Sequence, residues 1–341
     1  MKLSIASLGD DSTQSFIRRA QLAEQLGFNA LFHNDKKWAR DPFVRLGVAS
    51  QVTSRLGLGI SVVDPYTRHA ALLAQSTATL SEFAPGRLRV VMGAGSHFEN
   101  LPGVTNRKPA IGIREACQLI RRLWNGERVT LDGEIVKFKD GALDWRPTAL
   151  PPLYIASRGP QVLKLAGEVA DGVLIGSFAT PTGIEYAKRH IALGLQASGR
   201  TWHDIKLCSW IYLSVLDAEG DPIPESVRRG VSFALWSSRS SIAELVDQLA
   251  PDVTEEFRRF LIEGPTDWSP ATLAELGRLI PRGMFDSLAL VGTAQQISSR
   301  LRALQEAGID EVVIWPFPAS DQSVEQLMQR LAANVIPAVA A

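Results

Sequence analysis

Apolar positions along the chain follow two alternating rhythms. Residues 3–8 form a short apolar run, which predicts a buried strand. The next segment repeats at the helical period, with Phe16, Ala20 and Ala23 on one stripe and Leu22 and Leu26 beside it. Ser12 or Thr13 supplies a cap for this helix, and Gly27 can end it in the left-handed conformation. A second strand is predicted over 29–33. The same phrase returns twice. Leu304-Gln305-Glu306-Ala307-Gly308 leads into 311–315, and Leu165-Ala166-Gly167 with Val169-Ala170-Asp171-Gly172 leads into 173–175.

Such recurrence of a helix, a glycine and a buried strand is what repeated βα units of a parallel sheet produce. The candidate strands are 3–8, 29–33, 56–62, 88–93, 153–156, 173–175, 206–214 and 311–315. Eight parallel strands with helices between them give an α/β fold, a (β/α)8 TIM barrel, read as a single domain over 1–341. The competing architecture is an open doubly wound sheet. It would want a phosphate fingerprint after its first strand, and Gly9-Asp10-Asp11 does not supply one. Two segments break the rhythm. Residues 126–145 read as a hairpin, with Val129–Leu131 and 135–138 as arms and Asp132-Gly133 as the turn. Residues 222–286 read as a helical insertion after strand seven, in which Ser269-Pro270 starts one helix. An insertion at that place emerges on the catalytic face, as a lid or pocket wall, or serves only as packing.

Composition narrows the partners. The 36 Lys and Arg balance the 36 Asp and Glu, so no basic stripe points to nucleic acid. The apolar fraction of 45% suits one large core. The cysteines, Cys117 and Cys208, lie in apolar patterns and are expected as buried free thiols. No signal-peptide core precedes the first strand, and no apolar run reaches membrane length. A cytoplasmic protein acting on a small molecule is the resulting expectation.

Chemistry on a barrel gathers where strands end. After strand two stand His33, Asn34, Asp35, Lys36 and Lys37, a density of polar groups that suits acid–base work or simply caps the strand. After strand three comes Asp64-Pro65-Tyr66-Thr67-Arg68-His69. After strand four, Gly93-Ala94-Gly95-Ser96-His97 lets a ligand approach the backbone, or makes a tight turn. After strand five, Ser157, Arg158 and Gly159 precede a helix start at Pro160 and offer a phosphate seat, unless Ser157 is only a cap. The histidines lack metal-type spacing, so no metal is expected. No Gly-x-Ser-x-Gly elbow points to a hydrolase. A mouth with polar groups, glycines and a phosphate seat but no nucleophile suits a cofactor enzyme.

These motifs resemble the luciferase-like oxidoreductases, and within them the deazaflavin-using branch around methylenetetrahydromethanopterin reductase. Asp64-Pro65-Tyr66-Thr67-Arg68-His69 with Gln75 to Leu80, Pro85-Gly86-Arg87 with Gly93-Ala94-Gly95, and Tyr154-Ile155-Ala156-Ser157-Arg158-Gly159-Pro160 with Ala170-Asp171-Gly172 carry the likeness. Gly292-Thr293 and Ala307-Gly308-Ile309-Asp310 extend it to the C-terminal end. The resemblance implies coenzyme F420 as hydride carrier, with FMN as the alternative. It implies Asp35 near the ring, a non-prolyl cis peptide at Ser61-Val62, and Gly95, Ser96 and Glu99 near ring or substrate. Ser157, Arg158 and Gly159 fall on its phosphate turn. Asp35, Lys36, His33 and His97 are the candidates for handling protons. There are departures: Lys36 stands where the family has His, Ala70 where it has Pro, and Ser96 where many relatives are acidic. An FMN-dependent monooxygenase and a flavin-binding protein without turnover remain as rival readings. Family members are often homodimers, and no residue pattern here fixes the oligomeric state or the substrate.

Overall fold

Strand and helix alternate from the first residues onward. The computed structural model describes residues 1–96, 98–264, 267, 269–319 and 322–340. β1 (Lys2–Ser7) leads into α1 (Thr13–Gln25), β2 (Ala30–Asn34) into α2 (Pro42–Val52), β3 (Gly57–Val63) into α3 (Ala70–Phe83), and β4 (Leu88–Met92) into α4 (Pro109–Trp124). A hairpin of β5 (Val129–Asp132) and β6 (Lys137–Gly141) follows. The rhythm resumes with β7 (Leu153–Ser157), α5 (Pro160–Val169), β8 (Gly172–Gly176), α6 (Pro181–Ser198) and β9 (Lys206–Val215). A helical run comes next: α7 (Glu225–Ser237), α8 (Arg239–Ala243), α9 (Val246–Leu249), α10 (Glu255–Glu263), α11 (Pro270–Leu279) and α12 (Arg282–Leu288). β10 (Ala289–Gly292), α13 (Ala294–Glu306), β11 (Glu311–Pro316), α14 (Val324–Asn334) and α15 (Ile336–Ala340) complete the chain.

The parallel strands run in the order β11-β1-β2-β3-β4-β7-β8-β9, and β9 pairs back onto β11, so eight strands close a (β/α)8 barrel. β10 is a ninth strand that the sequence pattern does not reveal. The ten-residue β9 offers one edge to β8 over Lys206–Trp210 and then to β10 from Tyr212 to Val215. All of β10 is buried, so it lacks the alternation that marks a strand, and it continues directly from α12.

Alternation sorts each strand's side chains. Ala6, Ala30, Phe32, Val91, Tyr154, Leu174, Cys208, Trp210 and Val313 fill the lumen, while residues such as Leu3, Ile5, Leu31, Leu58 and Ile60 face the helices. Below them, at the N-terminal end, Glu311 is paired with Arg89 and accepts from Ser4 Oγ, and from Asn29 Nδ2 at 2.9 Å. The Arg89 guanidinium lies 4.9 Å from the Phe32 ring centre. The lumen is therefore filled at its middle and floor. At the opposite rim, Asn34, Val62, Ala156, Gly176 and Trp315 are only half-buried, so the C-terminal mouth keeps part of its lining exposed.

Local signals explain the helix ends. Ser12 Oγ caps α1 through Ser15 N, and Gly27 follows it at φ 79°. Ser269 caps α11 through Thr272 N. The hairpin's turn is longer than the expected Asp132-Gly133. Asp132 pairs with Lys137, and the residues between form the loop. The Glu115 carboxylate of α4 accepts from the N–H groups of Glu134, Ile135 and Val136, holding that loop on the barrel. Both cysteines are free and buried. No helix of the described residues is long and apolar enough to cross a membrane.

Candidate active site

Four segments meet at the mouth. Asp35, just past β2, is 8% exposed. Its N–H donates to Ser61 O at 3.0 Å, tying the end of β2 to that of β3. Lys37 Nζ lies 2.9 Å from Asp35 Oδ2 and 3.0 Å from Asp64 Oδ2. Arg68 Nε lies 3.2 Å from Asp35 Oδ2, and Arg68 Nη2 lies 2.7 Å from Asp41 Oδ2. Asp64 has no exposure, and its Oδ1 accepts from the N–H groups of Tyr66 at 2.9 Å and Thr67 at 2.8 Å. Carboxylates survive at such depth because each is paired and hydrogen-bonded. Burial works to raise the Asp41 carboxyl, but Arg68 and the N–H groups of Val44 and Phe43 outweigh it and hold it below its ordinary value.

The next stretch of rim is shaped by small residues. The Ser61–Val62 peptide bond is cis. The β3–β4 register shifts between Ser61 and Val63, and Val62 turns into the lumen. Across from it, a Cβ on Gly93 would sit 2.6 Å from Val62 Cγ1. Gly95, at φ 68°, brings its backbone so close to Asp64 that a Cβ would lie 2.6 Å from Oδ2. These two glycines let Val62 and Asp64 pack directly on the backbone after β4, which a Cβ at either position would prevent.

Farther round, Ser157 Oγ accepts from Gly159 N at 3.0 Å and orders the entry into α5. Pro160 starts that helix, whose first-turn N–H groups have no partner within the helix. Arg158 lies over Gly176, where a Cβ would stand 3.2 Å from its Cγ. Its Nη2 donates to Ser237 Oγ of α7 at 3.2 Å. Among the described residues no carboxylate pairs with it. Burial pulls its guanidinium below the ordinary value without removing its charge. A helix start and an unpaired guanidinium together suit a phosphate.

The remaining arc is aromatic. Trp210, Tyr212 and Trp315 point inward from β9 and β11, with Trp315 5.4 Å from Trp210 and 5.3 Å from Tyr212 between ring centres. Phe317 lies nearly parallel to Trp315 at 6.1 Å. Helix α7 presses onto this wall through Gly230, where a Cβ would be 2.9 Å from Phe317 Cζ. The first helix of the insertion thus borders the mouth. Burial pushes the Tyr212 phenol above its ordinary value, against the opposing pull of Arg158, so it stays protonated at neutral pH.

Comparison with known proteins assigns the fold a lineage. The family profile described as luciferase-like monooxygenase matches residues 3–311. The chain belongs to that family. A 5,10-methylenetetrahydromethanopterin reductase of Archaeoglobus fulgidus is 30% identical over 318 residues, 92% of each chain. An F420-dependent glucose-6-phosphate dehydrogenase of Beutenbergia cavernae is 38% identical over 230 residues, 63% of this chain and 68% of the relative. Among solved structures, the coenzyme F420-dependent tetrahydromethanopterin reductase of Methanopyrus kandleri superposes with TM-score 0.80 at 24% identity, covering 98% of both chains. This luciferase-like protein is accordingly an enzyme, an oxidoreductase of that superfamily.

The luciferase-like barrel gathers some of the expected site residues and separates others. Asp35, Ser61, Val62, Gly95, Ser157, Arg158 and Gly159 all line the mouth or its supports. Ser96 and Glu99 lie exposed in the loop after β4. His97 lies outside the described residues. His33 is a correction: it alternates to the outer face of β2, is fully buried against Phe16 at 5.2 Å, and cannot serve the lumen. Lys36 turns to the surface and pairs with Asp10 at 3.0 Å, while its neighbour Lys37 takes the buried place beside Asp35. Reading the sequence alone named Lys37 in the polar run but chose Lys36 over it, and it missed Tyr212 and the aromatic wall. The inward period of β9 and β11 would have placed Tyr212 and Trp315, whereas nothing local distinguishes Lys37 from Lys36. Among the described residues no three metal-binding side chains cluster.

Proposed function

We propose that this enzyme uses coenzyme F420 to exchange hydride with a small organic substrate at the barrel mouth. The observation that carries the reading is Arg158, a rim guanidinium without a carboxylate partner among the described residues, set beside the start of α5. The likeness to relatives named for F420 supports the deazaflavin over FMN. The residues present fit such a group. Arg158 with the α5 N–H groups suits its phosphate, and Val62, half-buried at the rim, would lie beside its ring.

F420 supplies the ring carbon that carries hydride. The chain's own groups do the rest. Val62, turned into the lumen at the β3 register shift, would pack against the ring. Lys37 and Arg68 hold the Asp35 carboxylate in place, so that a ring bound there would meet a fixed anion. Tyr212, with its phenol held above its ordinary value by burial, backs the far side of the mouth as a neutral group. The filled lumen below excludes water from beneath the site.

Titration with F420, FMN and FAD tests the reading. Tighter binding of F420 than of either flavin supports it. Preference for FMN, with oxygen uptake by reduced FMN under air, would replace it with a flavin monooxygenase.

A further inference from the structure

Among the described residues, the cations at the mouth on the loops after β2 and β3 are committed. Lys36 is paired with Asp10, Lys37 with Asp35 and Asp64, and Arg68 with Asp35 and Asp41. Arg40 Nη1 donates to the backbone oxygens of Gly9 and Asp10. Arg158 stands at the seat assigned to the cofactor's phosphate. Facing the Val62 side across the lumen is the aromatic arc of Trp210, Tyr212, Trp315 and Phe317. Trp315 and Phe317 keep part of their surface open to solvent at the rim.

We infer that this arc is the substrate wall, and that the substrate is an uncharged molecule with a flat apolar ring rather than a phosphorylated or otherwise anionic one. The inference rests on the proposed F420 reading for the position of the cofactor. An anion drawn to Lys37 or Arg68 would need that cation released from its pair, leaving Asp35 or Asp64 buried and short of a partner. A neutral ring loses little on desolvation and gains by stacking on Trp315. The Tyr212 ring packs 5.3 Å from Trp315 and 5.5 Å from Phe317 and backs the wall. The wall is held from behind by α7, whose Gly230 permits the close approach to Phe317. The shape of the wall therefore depends on the insertion.

Calorimetric titration with acetophenone and with glucose 6-phosphate tests the inference, each run with and without F420 on the full chain. Acetophenone is expected to bind, and glucose 6-phosphate is expected neither to bind nor to displace it. Trp315→Ala should weaken acetophenone binding roughly tenfold, while Trp315→Phe largely preserves it. Circular dichroism checks that both variants fold, and Phe317→Ala, expected to weaken acetophenone binding as well, provides a second probe if Trp315→Ala does not. Binding of glucose 6-phosphate, or acetophenone affinity indifferent to loss of the wall rings, overturns the inference. So does failure of acetophenone to bind in both forms. Failure of F420 to bind would instead reject the cofactor reading, and the acetophenone result without F420 would still judge the wall.

Discussion

Arg158 and His33 are both basic residues next to the mouth, and their surroundings give them opposite fates. Arg158 keeps its charge, meets only a serine hydroxyl among the described residues, and lies beside a helix start. Replacing it with alanine should weaken F420 binding by about 1–3 kcal/mol, the scale of a charged hydrogen bond. Fluorescence titration of the cofactor reads this, and unchanged affinity would remove Arg158 from the seat. His33 is buried with neither ring nitrogen paired to a neighbour. Burial, reinforced by Arg45, lowers its pKa from 6.5 to about 4. The unfolded chain thus takes up this proton before the folded chain does. The contribution of the neutral ring is complete above pH ~6.5 and fades as the pH falls toward ~4. Between pH 7 and 5 this costs the folded state about 2 kcal/mol. Urea unfolding of His33→Leu at those two pH values should show a drop smaller by that amount. An identical drop in the variant would trace the acid sensitivity to other groups.

At the level of elements, the loop from β2 to α2 separates two neighbouring lysines. Lys37 is drawn under the loop, where it joins the ends of β2 and β3 through Asp35 and Asp64. Lys36 stays at the surface with Asp10. Lys37→Met leaves two buried carboxylates short of a partner and should cost about 3–5 kcal/mol of stability. Lys36→Met breaks an exposed pair and should cost less than about 1 kcal/mol. Chemical denaturation of the two variants side by side decides the matter. Equal losses would mean that the loop does not distinguish them. Residue types alone do not carry this difference, because the two lysines share a composition and a local pattern. The partners decide it: two buried carboxylates face Lys37, and the exposed Asp10 faces Lys36.

Across the whole molecule, the barrel floor is tied by one buried ion pair. Arg89 of β4 reaches Glu311 of β11 through the lumen, beneath Phe32 and beside Ser4 and Asn29. These strands are far apart in the order of the sheet, so the pair spans the ring instead of a neighbouring strand. Glu311→Ala would strand a buried guanidinium and should cost about 3–5 kcal/mol. Thermal unfolding of the variant measures it, and a loss below 1 kcal/mol would show that water reaches the floor.

Much of this architecture is legible along the chain. Buried runs and helical stripes locate the ring strands, since each strand face and each helix face must be apolar where it meets the core. The caps at Ser12 and Ser269 are legible for the same local reason. The likeness of the mouth motifs marks the cis peptide at Ser61-Val62 and the turn at Arg158. β10 escapes notice because a four-residue strand buried on both faces has no period to read.

The sequence by itself determined the alternation of strand and helix, the zero net charge and the chemistry available at each strand end. Only the tertiary structure decided that the sheet closes, that His33 faces outward, that Lys37 and not Lys36 reaches Asp35, and that four aromatic side chains from β9, β11 and the residue just beyond it form one wall. Local pattern records whether a residue is buried. Which buried groups meet is set by strand order and register across the ring, and those relations join residues far apart in the chain.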